Sequence, residues 1–201
     1  MKTPNQLTAT EAITSIEAGD LTAQALLRSC LERIEEREPV VGAWAHVGSD
    51  TALAHAAAID NSPKQTALAG IPFGAKDIID SHDMPTGYGS PIYEGHRPVW
   101  DAACIALTRA AGGTLLGKTI TTEFANLTPG KTANPYDPTR TPGGSSSGSA
   151  AAVGDFMVPF SFGTQTSQST IRPAAYCGVH GYCPSQGDFR MAGVREASGS
   201  F

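Results

Sequence analysis

Helix-patterned and strand-like segments alternate along this chain, and that alternation is what most narrows its folding options. Thr8-Ala9-Thr10-Glu11 has the form of a capping box, and the short helix it opens ends at Gly19. In LTAQALLRSCLERIEERE, residues 21–38, Leu27, Cys30, Leu31 and Ile34 recur at helical spacing, and the stripe stops before Pro39. VVGAWAHV reads as a strand, and Asp50 begins an alanine-rich helix that runs to about Asp60. LAGIPFGAKDII, residues 68–79, reads as a strand and turn because of its glycines and Pro72. Asp101 is placed to cap AACIALTRAAGG, with Gly112 and Gly113 as the stop. The apolar runs TLLGKTI and MVPFSFG complete the pattern. It predicts an α/β layered fold with a mixed, largely parallel central sheet flanked by helices, its functional loops at strand ends.

Composition removes several function classes. A charged fraction of 16% with 22 Gly and 14 Pro indicates long ordered loops around a sheet rather than a helical bundle. Net charge is -5, with no Lys or Arg cluster and no interleaving of basic and aromatic residues, which argues against direct nucleic-acid binding and against an anionic membrane surface. The start, MKTPNQLTATEAITS, has no apolar core of a signal peptide, so the cytoplasm is the expected compartment. Four scattered cysteines, Cys30, Cys104, Cys177 and Cys183, read as reduced and mostly buried. Cys177, His180 and Cys183 lie in a C-x-x-H-x-x-C run that lacks a fourth ligand and fits no known zinc spacing; packing and loop roles suit them better, and no metal is expected.

The stretch from Thr128 to Gly148 is too rich in turn formers to be regular and too long to be a mere connection. It leads into TPGGSSSGSAAAV, residues 141–153, which allows three readings. One is a phosphate cradle, though the Lys-Ser/Thr ending of a P-loop is absent. A second is a nucleophile elbow on Gly144-Ser145-Ser146-Ser147-Gly148, with Asp155 and His180 following in order, though the prolines of NPYDPTRTPGG deny it the strand it needs. The third is a solvated Gly/Ser turn.

Two other stretches bear on the choice. Lys76 follows the apolar segment GIPFGA, where desolvation lowers a lysine pKa and supplies a neutral amine. In GTQTSQSTIRPAAYCG, residues 163–178, Ser169 follows a turn of small residues whose N–H groups can converge. This lysine, the loop serine and the turn serine, together with NPYDPTRTPGGSSSGSAAAV and PAAYCGVHGY, resemble the amidase signature family over nearly the whole chain.

The resemblance implies hydrolysis of a carboxylic amide by a Ser-Ser-Lys triad: Lys76 as base, Ser145 as bridging serine after a cis peptide bond, and Ser169 as the acylated nucleophile. It implies an oxyanion hole from the N–H groups of Thr166, Ser167 and Gln168, extended by that of Ser169. Gly143, Gly144, Ser146 and Gln165 would support the loops, without cofactor or metal. The expected partner is a small-molecule amide. Residues 1–201 would form the N-terminal part of such a domain, with a helical portion at 1–62 and the catalytic motifs at 63–201. A sheet truncated at its C-terminal side leaves an unpaired edge, which favours association with further copies. Ser167 and Gln168 stand where the family commonly has two glycines. Other readings are a catalytically impaired amide- or acid-binding relative, and an amidotransferase subunit passing ammonia to an aminoacyl-tRNA partner.

Overall fold

The computed structural model describes residues 2–62, 66–185 and 187–195. Among these residues six α-helices, α1 (Ala9–Glu17), α2 (Ala23–Val41), α3 (Ser49–Asp60), α4 (Ala103–Ala110), α5 (Ser147–Gly154) and α6 (Ile171–Tyr176), surround four strands, β1 (Trp44–Val47), β2 (Pro72–Lys76), β3 (Thr114–Thr119) and β4 (Phe160–Phe162). The sheet order is β1-β3-β2-β4; β2 lies parallel to both β3 and β4, and β1 pairs antiparallel with β3. This is the mixed, largely parallel α/β sheet expected from the alternation of elements. No helix among the described residues is long and apolar enough to cross a membrane.

Local chemistry explains most of the boundaries. Thr8 and Glu11 form the capping box, and Gly19 takes the chain out of α1 at φ 81°. Helix α2 does not stop before Pro39 but continues to Val41. Proline in a last turn costs a single backbone hydrogen bond. Gly42, left-handed at φ 60°, closes the helix, while the Glu38 carboxylate accepts from the N–H groups of Ala43 and Trp44 at 2.8 and 3.1 Å. Helix α3 starts at Ser49, with Asp50 in its first turn. The expected cap of α4 is also displaced, because Ala102 holds that position. Asp101 instead accepts from the His82 N–H at 3.0 Å and pairs with Arg109 at 3.4 Å, so its carboxylate pins a neighbouring loop.

The sheet separates two apolar clusters. On one face Leu26, Leu27, Cys30 and Ile34 of α2 meet Ala150, Ala151 and Ala152 of α5, with Leu116 of β3. On the other, Phe73 and Ala75 of β2 meet Ile105 of α4 and Leu115 of β3, and Phe73 stacks on Phe160 of β4 at 5.4 Å between ring centroids. The four cysteines are all unbridged: Cys30 and Cys177 are buried, Cys104 is half-buried and Cys183 is exposed.

Helix α5 is buried on nearly every side, which requires small residues throughout SGSAAAVG. Gly148 marks its closest approach to the sheet connections: a Cβ there would lie 2.2 Å from the Ala43 carbonyl oxygen and 2.4 Å from the Ile120 nitrogen. At its other end Asp155 is held by Arg33 and Arg37 of α2. Gly148→Ala is therefore expected to push α5 off the sheet and lower stability by about 3 kcal/mol, the upper range for forced overpacking. Urea unfolding of the two proteins checks this, and an unchanged midpoint would refute the packing argument.

Candidate active site

The site begins with an alternation of side chains along β2. In a strand successive side chains face opposite ways, so Phe73 and Ala75 enter the α4 side while Lys76 faces α5. Cross-strand neighbours share a face: Lys76 pairs with Thr119, whose hydroxyl lies 2.7 Å from that of Ser149 in α5. The same rule sends Lys118, paired with Ala75, to the opposite face.

Lys76 has no exposed surface, and Ser145 retains 1%. The Lys76 ammonium donates to the Ser145 hydroxyl at 2.7 Å and to the Thr164 hydroxyl at 2.8 Å. Among the described residues no carboxylate stabilises its charge there, and burial draws its pKa down to about 7. An amine in that range is available as a base near neutral pH.

The serine loop is not a solvated turn, since Ser145, Ser146, Ser147 and Ser149 are all buried. The Gly144–Ser145 peptide bond is cis. The Ser145 carbonyl accepts from the Thr122 N–H at 3.2 Å. Ser146 joins this loop to the segment at 163–170: its N–H donates to the Ser169 carbonyl at 3.0 Å, and its hydroxyl donates to the Thr164 carbonyl and accepts from the Thr164 N–H, both at 3.2 Å. Asp155 is taken up by two arginines and does not form an elbow triad with Ser146 and His180.

Gly143 is left-handed at φ 76°, and a Cβ on it would lie 3.0 Å from the Pro173 Cα, so the loop and the start of α6 are in close contact. Arg172 secures this contact by donating from Nε and Nη2 to the Gly144 carbonyl at 3.1 and 2.7 Å. Gln165 accepts from the N–H groups of Thr170 and Ile171 through its side-chain oxygen, both at 3.0 Å. Between these anchors Thr166, Ser167 and Gln168 are exposed. Among the described residues, their N–H groups and that of Ser169 donate to no protein acceptor. Ser169 is half-buried, and its hydroxyl has no hydrogen-bond partner among the described residues.

The structure thus joins Lys76 directly to Ser145, and brings Ser169 to the same loop through its backbone rather than through its hydroxyl. Sequence reasoning missed Thr164 and Arg172. The available signals were a hydroxyl residue in the turn that carries Ser169 and a basic residue three positions after it. It also missed Lys118, which is fully buried on the other face, donates to the Thr86 hydroxyl at 2.7 Å and lies 3.6 Å from Asp77.

Cys177 is buried against the Pro142 carbonyl and Cys183 is exposed, so the C-x-x-H-x-x-C run does not converge on one point. His82, Asp83 and Asp101 are the only grouping among the described residues with metal-ligand spacing, and Arg109 already pairs with both carboxylates.

The model of the Amidase family matches residues 25–201. The chain is 44% identical over 200 residues to a glutamyl-tRNA(Gln) amidotransferase subunit of Chloroflexus aurantiacus, covering 94% of this chain and 41% of that one. The corresponding protein of Mycobacterium tuberculosis is 41% identical over 199 residues, covering 94% of this chain and 39% of that one. Among solved structures, the peptide amidase of Stenotrophomonas maltophilia superposes with a TM-score of 0.89 at 32% identity, covering 94% of this chain and 42% of that one. The chain spans about two fifths of the length of these relatives. A family model over most of the sequence, with a shared fold and substantial identity, establishes that this chain belongs to the amidase signature family.

Proposed function

We propose that this chain carries the acylating machinery of an amide hydrolase. The observation that carries the reading is the buried contact between Lys76 and Ser145, in which an amine with a pKa of about 7 lies 2.7 Å from a serine hydroxyl. Neutral Lys76 accepts a proton from Ser145 as Ser145 accepts one from Ser169, and the Ser169 oxygen attacks the amide carbonyl. Rotation of the Ser169 hydroxyl toward Ser145 completes the relay when substrate is bound. The oxyanion is held by the free N–H groups of Thr166, Ser167, Gln168 and Ser169; each such donor contributes about 3 kcal/mol to lowering the barrier. The relay then returns the proton to the departing amine, giving an acyl-enzyme on Ser169, and activates water to release the acid. Gly143, Gly144, Ser146 and Gln165 hold the two loops in register, and no metal or organic cofactor enters these steps.

A second reading follows from the 44% identity to an amidotransferase component. Here the amide is glutamine, and the released ammonia passes to a partner that holds an aminoacyl-tRNA. Glutamine turnover that appears only when such a partner is added favours this reading; hydrolysis of simple amides without one favours the first.

Acyl transfer is tested with a fluorophosphonate or an activated amide, the adduct being located by mass spectrometry. The adduct is expected on Ser169, with labelling lost in Ser169→Ala and Lys76→Ala and a small residual rate left in Ser145→Ala. Unchanged labelling of Lys76→Ala would exclude the lysine as base.

The labelling rate is also expected to follow the neutral fraction of Lys76. Because burial lowers this pKa, the rate rises about tenfold per pH unit below pH 7 and levels off above it. A flat profile between pH 5 and 9 would contradict this assignment.

Ser167→Gly with Gln168→Gly removes two side chains from the approach to the oxyanion donors. Turnover of a small aliphatic amide is expected to rise by up to about 10²-fold if the two side chains hinder the approach of the carbonyl to one of these donors. If the Gln168 amide instead recognises a polar substrate, turnover of a polar amide falls while that of the aliphatic one is unchanged.

A further inference from the structure

Three aromatic rings surround a guanidinium. The Arg195 Cζ lies 5.1 Å from the ring centroid of Tyr88, 5.3 Å from that of Tyr93 and 4.7 Å from that of Phe124, all within the range of cation–π attraction. Tyr88 and Tyr93 meet edge to face at 4.8 Å, and Tyr93 and Phe124 do so at 6.0 Å. The Tyr88 hydroxyl donates to the Asp80 carboxylate at 2.8 Å, which enriches its ring in electron density and places a negative charge beside the box.

Two further observations mark this as a built site. Tyr88, Phe124 and Ala125 have positive φ, at 54°, 48° and 60°. Such strain persists only where surrounding structure imposes it, and it concentrates at ligand sites. Here the Phe124 N–H donates to the Tyr88 carbonyl at 2.9 Å, which ties the two strained residues together. The segment that carries Phe124 also hangs from the serine loop, since the Thr122 N–H donates to the Ser145 carbonyl. Arg195 arrives on a strap rather than by chance. Val194 forms an antiparallel bridge with Ile79, and the Arg195 N–H donates to the Ile78 carbonyl at 3.0 Å.

We propose that Tyr88, Tyr93 and Phe124 form a binding box for an organic cation, a quaternary ammonium or guanidinium group, and that Arg195 is its built-in competing occupant. The box already holds a cation, the carboxylate beside the rings favours one, and a substrate bearing a cationic substituent is one ligand it would take. Only that last assignment rests on the proposed amide chemistry; binding in the box does not. An occupant tethered by a short strap competes at millimolar effective concentration, so removing its side chain should expose the box to free ligand.

The test is a titration of tetramethylammonium against the 201-residue chain, following the upfield ring-current shift of the probe's methyl resonance. Saturable binding is expected in Arg195→Ala at about tenfold lower probe concentration than in the unmodified chain, and tert-butanol, a neutral molecule of similar shape, should not bind. Adding Tyr93→Ala, a half-buried position whose loss the fold should bear, or Phe124→Leu is expected to abolish the shift. Equal affinity with and without Arg195, equal binding of tert-butanol, or binding that survives both aromatic substitutions would overturn the proposal, as would no saturable binding to Arg195→Ala.

Discussion

An ammonium group without exposed surface, and without a carboxylate beside it among the described residues, is the constraint around which this fold is organised. Burying such a charge is costly enough that the group gives up its proton more readily and gathers hydrogen-bonding partners. The Lys76 partners come from two separate loops, Ser145 from one and Thr164 from the other, so satisfying one amine draws together segments far apart in sequence. Each must reach the C-terminal end of β2, and the parallel run of β2 with β3 and β4 places the connections there. This is where open α/β sheets generally build their sites. Gly148 and the alanines of α5 then act as spacers, because a bulkier helix would lift the serine loop away from the amine.

The second buried lysine shows how one sheet keeps two different chemistries apart. Lys118 and Lys76 stand on neighbouring strands, but the irregular register between Phe73 and Gly74 of β2 and the facing residues of β3 directs them to opposite faces. Lys118 has Asp77 at 3.6 Å as well as the Thr86 hydroxyl, whereas Lys76 has hydroxyls alone. A carboxylate favours the charged amine and opposes the effect of burial. A pair of hydroxyls does so far less. The same residue type therefore serves as a structural tie on one side and is available as a base on the other.

What could be read from the sequence was what depends on local pattern. The Thr8 capping box, the stripe along α2, the short apolar strands and the small residues of α5 are set by interactions within a few positions, and each stands close to where the pattern puts it. What could not be read depended on partners distant in the chain. Asp101 has the composition of a helix cap, but His82 and Arg109 draw its carboxylate elsewhere. Pro39 resembles a stop, yet Gly42 and the Glu38 carboxylate let α2 run past it. Thr164 and Arg172 carry no motif of their own. Their contacts with Lys76 and the Gly144 carbonyl arise only when β4 and α6 have been placed.

The turn before Ser169 shows how a turn without glycine can be closed by side-chain and backbone hydrogen bonds. Glycines at positions 167 and 168 would allow a tight turn by backbone freedom alone. Here Ser167 and Gln168 occupy those positions, and the turn is closed from outside: the Gln165 side-chain oxygen collects the N–H groups of Thr170 and Ile171, and the Gln168 carbonyl accepts from the Arg172 N–H at 3.0 Å. These bonds use the donors on the α6 side of the turn and the carbonyl of its middle, and leave the N–H groups of residues 166–169 without protein acceptors among the described residues. A run of neighbouring backbone donors is itself an anion-binding feature. The side-chain amide of Gln165 thus closes the α6 side of the turn by hydrogen bonding, and the N–H groups of residues 166–169 are left uncommitted among the described residues.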